Sequence, residues 1–235
     1  MRIGLTVSDF HLLSHHSRSR DFLEELETLA GSIDVLVLNG DIFDFKWSQH
    51  AGVLPSVAVA ERQIEHLLRV LPNCEVHYVL GNHDAVTPFQ AALERLAKRH
   101  HSFHWHEFVC RMEAGLFLHG DVVHAGSSNA AVRAFREQMG RPRSDYRWQR
   151  MAHGALHRST LPRLAFTMVP KRLLAARIVR YLSNENWLPD DSVRHVYFGH
   201  THSGFENFTY RGLRFHNSGS ATLGAHLRPI RFRLG

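Results

Sequence analysis

Along the first hundred positions, apolar runs separated by polar punctuation follow a rhythm of short strands and amphipathic helices. Arg2 to Ser8 (RIGLTVS) reads as a short strand that ends in polar residues. Over Asp21 to Gly31, the apolar positions Phe22, Leu26 and Leu29 recur at helical spacing, with Gly31 as the stop. Asp34 to Leu38 (DVLVL) predicts a buried strand closed by Asn39-Gly40. Val57 to Val70 predicts a second helix ended by Pro72, Glu75 to Leu80 a third strand, and Pro88 to Arg99 a third helix. This β-α-β-α-β order predicts a layered α/β architecture.

The second half has a different texture. Phe108 to Arg111 and Leu116 to Leu118 read as a strand pair around Ala114-Gly115, and a helix-rich, arginine-rich stretch runs from about Ser128 to Asn186. Strands return at Arg194 to Phe198, at Leu213 to Asn217 and near Ile230 to Leu234. No repeat or low-complexity linker interrupts the chain. Its 235 residues suit a single domain over 1–235, with a basic helical cap inserted at about 122–186.

Charge sharpens that view. The net charge of +6 is not spread evenly: Val122 to Asn186 holds 12 Lys and Arg against 3 acids (Glu137, Asp145, Glu185), so the remainder is net acidic. A basic segment of this kind suits a phosphorylated substrate, an anionic membrane surface or nucleic acid. Aromatics such as Tyr146, Trp148 and Phe166 are too sparse in it to make a base-stacking platform. Cys74 and Cys110 have no CxxC spacing and read as neither a disulfide framework nor a thiolate metal site. The opening MRIGLTVSDFH turns polar too soon for a signal peptide, and no apolar run approaches a membrane span. The expectation is a cytoplasmic protein, with peripheral contact at the inner face of the membrane through the cap.

The chemistry gathers at strand ends. Ser8-Asp9-Phe10-His11 follows the first strand, Asn39-Gly40-Asp41-Ile42-Phe43-Asp44 the second, and Gly81-Asn82-His83-Asp84 the third. His119-Gly120-Asp121 follows Leu116–Leu118, and Gly199-His200-Thr201-His202 follows Val196–Phe198. Carboxyl ends of strands are where open α/β sheets collect ligands. Oxygen and imidazole donors without thiolate suit Mn, Fe, Zn or Co. Asp9 and His11 can face one ion from an extended turn, Asp41 has two oxygens with which to bridge two ions, and Gly40, Gly81, Gly120 and Gly199 permit sharp turns beside them. Each motif alone is compatible with ordinary turn chemistry. All five in this order are not.

DxH, GDxxD, GNHD, HGD and GHTH, in that order, resemble the signature of calcineurin-like metallophosphoesterases, over a framework from Ile3 to Asn217 apart from the basic insertion. The resemblance implies a four-layer α/β/β/α sandwich and two divalent ions, manganese first, with iron or zinc accepted by the same ligands. It implies Asp9, His11, Asp41 and His202 at one ion and Asp41, Asn82, His119 and His200 at the other. It gives His83 a phosphate contact and proton-donor role, with Asp84 orienting it, and a metal-bridging water as nucleophile. A non-catalytic scaffold of this fold would be expected to lack some of these ligands, and none is missing.

The placement of the cap between HGD and GHTH is similar to that in bacterial UDP-2,3-diacylglucosamine pyrophosphatases, which implies a lipid-linked nucleotide substrate. Leu161, Leu164, Phe166, Met168, Leu173, Leu174 and Ile178 would then cover an acyl chain. The chain departs from those enzymes at His83, where they have GNRD. A general phosphomonoesterase or phosphodiesterase is the alternative.

Overall fold

The computed structural model describes residues 1–14, 17, 26, 28, 31–140, 169–222 and 226–235. Among the described residues, ten strands form two five-stranded sheets. The first has the order β10-β1-β2-β3-β4, from β1 (Arg2–Val7), β2 (Val35–Asn39), β3 (Glu75–Val79), β4 (Phe103–His106) and β10 (Ile230–Leu234). β1 to β4 run parallel and β10 is antiparallel to β1. The second has the order β5-β6-β7-β9-β8, from β5 (Val109–Met112), β6 (Gly115–Leu118), β7 (His195–Phe198), β8 (Phe205–Tyr210) and β9 (Leu213–Asn217).

The alternation within strands decides the layers. In β2, Leu36 and Leu38 face the cluster packed against α1 (Val53–Val70) and α2 (Thr87–Arg99), whereas Val35 and Val37 face the seam between the sheets. That seam also holds Val79, Cys110, Phe117, Tyr197 and Phe232. On the far side of the second sheet, Leu116, Leu118, Val196 and Phe198 pack against α3 (Val122–Ala125), α4 (Asn129–Gly140) and α5 (Lys171–Asn184). The result is the expected α/β/β/α sandwich.

Several expectations need correction. β4 (FHWH) and β8 (FENFTY) escape a periodicity reading because their polar faces and histidines dilute the apolar alternation. β8 also breaks register between Phe205 and Phe208, with Asn207 in a left-handed conformation (φ 58°). Both expected helices start earlier than their apolar runs, with Pro55 and Pro88 tolerated in their first turns. The arginine-rich stretch joins β6 to β7, a parallel pair that requires a crossover. Leu174 and Ile178 of α5 lie in the core and cannot cover an acyl chain, while Leu173 is 43% exposed. Residues 141–168, with Leu161, Leu164, Phe166 and Met168, lie outside the described residues, as does most of the helix expected over Asp21–Gly31.

Candidate metal centre

The parallel strands of both sheets bring their carboxyl ends to one place. The turns after β1 and β2 run side by side, tied by backbone bonds from Asp9 N to Gly40 O (3.0 Å), His11 N to Asp41 O (2.9 Å) and Leu12 N to Ile42 O (2.8 Å). The sheets are tied across the site by the His200 N–H, which donates to both carboxylate oxygens of Asp9 (2.9 and 3.1 Å). Five candidate ligands hold left-handed backbone: Asp9 (φ 55°), His11 (49°), Asp41 (52°), His200 (66°) and His202 (54°). Non-glycine residues seldom adopt this region, and its cost is met by the surrounding hydrogen bonds. The Asp9–His11 turn is therefore left-handed rather than extended. Gly81 and Gly199 serve by having no side chain: a Cβ on Gly81 would strike Asp41 Oδ1, and one on Gly199 would strike Asp9 Oδ2.

Three triads place their donor atoms within 4.8 Å of one another: Asp9, His11 and His202; Asp41, His119 and His200; and His11, Asp41 and His83. In the first, His202 Nε2 lies 3.3 Å and His11 Nε2 4.0 Å from Asp9 Oδ1. In the second, His119 Nε2 lies 3.3 Å from Asp41 Oδ2, 3.3 Å from His200 Nδ1 and 3.1 Å from Asn82 Oδ1. Asp41 stands between the two. Its Oδ1 accepts the His83 backbone N–H at 2.8 Å, and its Oδ2 faces His119 on one side and His11 Nε2, at 3.8 Å, on the other.

The electrostatics fit cations. Burial opposes ionisation of Asp9 and Asp41, yet His202 and His119 hold Asp9 below the usual carboxylate range, and His119, His83 and His11 hold Asp41 well below it. Burial would lower His119, but Asp41 and Asp9 push it up to about 10, while burial and His119 push His200 down to about 3. The buried carboxylates thus draw positive charge into the cluster. His11 Nε2 is buried without a hydrogen-bond partner, as an imidazole awaiting an ion would be.

His83 departs from expectation in its partner. Asp84 is fully buried and fully engaged: it accepts from Tyr78 OH (2.7 Å), Gly81 N (2.7 Å) and Ile42 N (3.1 Å), which fixes the turn rather than the His83 ring. The ring instead points Nδ1 at Asp44 Oδ2, 3.2 Å away. Burial disfavours its charged form, but Asp44 and Asp41 push His83 up to about 9. Asp44 also lies 3.5 Å from His11 Nδ1. It is the last residue of the GDxxD motif, a signal that was present in the sequence without a role. No sequence motif points to His124, whose Nδ1 lies 2.8 Å from His200 Nε2.

The basic segment contributes a strut. Arg136, on α4 and 4% exposed, donates Nε and Nη2 to the Asp121 carboxylate (2.7 and 3.2 Å) and Nη2 to Leu80 O (2.8 Å). It joins the HGD turn to the GNHD turn. Arg133 makes a two-point pair with Glu107 (2.6 and 2.7 Å).

Two adjoining nests of buried carboxylate and imidazole, at strand ends of both sheets of an α/β/β/α sandwich, define a dinuclear metal hydrolase centre. Residues 4–204 match the calcineurin-like phosphoesterase family, and the chain belongs to it. It is a metal-dependent hydrolase of phosphoester bonds. No curated protein matches the chain. Among solved structures it is similar to a dimetal phosphatase of Danio rerio (12% identity, 99% of this chain and 92% of that one, TM-score 0.45). It is similar to a phosphopantetheinyl hydrolase of Mycobacterium tuberculosis (16%, 97% and 95%, 0.43). It is also similar to a protein of Streptococcus pneumoniae described as a predicted phosphoesterase (12%, 99% and 83%, 0.43). Among the described residues, no helix is long and apolar enough to cross a membrane.

Proposed function

We propose that Asp9, His11, Asp41 and His202 hold one divalent ion, that Asp41, Asn82, His119 and His200 hold the other, and that the preferred metal is manganese. Bound ions supply Lewis acidity, activating water and neutralising phosphoryl oxygens. The chain's own groups do the rest. Asp41 Oδ2 faces both nests, so one carboxylate could serve both ions, and this is the observation that carries the reading. His83, kept protonated by Asp44, contacts the phosphoryl group and delivers a proton to the departing oxygen.

The substrate proposed is a small water-soluble phosphoester. Two apolar positions of the lipid-linked reading, Leu174 and Ile178, support the core, and Arg133 and Arg136 are paired to Glu107 and Asp121. A manganese-loaded substrate panel tests this: aryl phosphate mono- and diesters, cyclic nucleotides, nucleotide sugars, single-stranded DNA and UDP-diacylglucosamine. Turnover of the small esters is expected. Turnover of the lipid-linked nucleotide alone would instead assign the pyrophosphatase role. Preference for DNA would assign a nuclease.

A further inference from the structure

We propose that His77, His106 and Cys110 form a second metal site, for one zinc-class ion, that pins the two sheets together at their edge. The three residues come from three strands and both sheets: His77 from β3, His106 from β4 and Cys110 from β5. Their donor atoms lie within 4.8 Å of one another. His77 Nδ1 is 3.0 Å from His106 Nε2 and 3.6 Å from Cys110 Sγ. With Zn–N of about 2.0–2.1 Å and Zn–S of about 2.3 Å, a tetrahedral site has N···S edges near ~3.6 Å and N···N edges near ~3.3 Å. The nitrogens need to part by only a few tenths of an ångström.

The surroundings match what a ligating histidine requires. The other nitrogen of His77, Nε2, is 3.0 Å from Glu75 Oε1, so a carboxylate orients the ring from behind and leaves Nδ1 for the ion. His77 and Cys110 are buried, in a seam otherwise packed with Val79, Phe117 and Tyr197. Entry is short, because Glu75 and His104 at its rim are part-exposed (34% and 45% of their side chains). Binding displaces two protons. The Sγ–H proton passes to solvent, and the proton shared between His77 Nδ1 and His106 Nε2 moves to the other nitrogen of its own ring. With three protein donors, water would complete the tetrahedron. The site is separate from the dinuclear centre and does not depend on its function.

Sulfur makes the test specific, since no ligand proposed for the dinuclear centre is a thiolate. The whole protein, stripped of metal and titrated with Co²⁺, is expected to develop a thiolate-to-cobalt charge-transfer band. C110S is expected to lose the band and one bound metal per chain while keeping phosphoesterase activity. C74S is expected to keep the band. D41N is expected to keep it while losing activity, which separates failure of this site from failure of the catalytic reading. E75Q, a change near the surface, is expected to weaken binding about 10- to 100-fold. Absence of the band in the wild-type protein overturns the proposal without recourse to any variant. So does its persistence in C110S, or unchanged affinity in E75Q.

Discussion

In the proposed mechanism, Asp44 and His83 form the pair on which proton delivery turns. Asp44 holds the proton on His83, so removing that charge lets the proton leave at lower pH. In that proposal His83, pushed up to about 9 by Asp44 and Asp41, would supply an acid present below that pH and lost above it, and bound cations would pull the limb lower. The alkaline limb of the kcat profile is therefore expected at or below about 9, and D44N is expected to move it further down. An unmoved limb in D44N would remove Asp44 from the mechanism. His83→Ala is expected to lower kcat by about 10²–10⁴-fold, with metal content by elemental analysis unchanged. The identities of these residues were legible in GDxxD and GNHD. Which acid faces His83 was not, because Asp44 reaches it only where two turns pack together, and adjacency in sequence favoured Asp84.

Arg136 shows how an element acquires its role. Its position on α4 places a guanidinium among buried carbonyls and the Asp121 carboxylate, where it braces two site turns. Arg136→Met leaves Asp121 buried and uncompensated, a loss of about 3–5 kcal/mol, measurable by denaturant unfolding. Adding Asp121→Asn to that variant is expected to restore part of the loss. Equal instability of the double variant would mean the bond to Leu80 O carries the effect. From sequence, the same arginine was one of 12 basic residues in a phosphate-seeking segment. Its partner lies 15 residues back, beyond a helix, and no local periodicity connects the two. The crossover identity of that segment was equally hidden, since it follows from β6 and β7 being parallel neighbours.

For the molecule as a whole, the metal centre couples folding to metal and pH. Ions held by the assembled strand ends would not be held by the unfolded chain, so a chelator is expected to lower Tm and Mn²⁺ to restore it in proportion to log concentration. His119 is raised to about 10, so at neutral pH an ion must displace its proton. Manganese affinity measured by calorimetry is accordingly expected to rise with pH through neutrality; a flat profile would take His119 out of the ligand set. The sequence by itself determined the donor types, their order along the chain and the strands that carry them, because hydrophobic alternation and turn residues are local properties. It also determined the layered architecture through the resemblance those motifs carry. Only the tertiary structure decided which donors meet. The left-handed turns, the single Asp41 oxygen between two nests, Asp44 under His83 and Cys110 beside two histidines all depend on separate strands arriving at one edge. That arrival is set by sheet register and packing, which no stretch of sequence encodes alone.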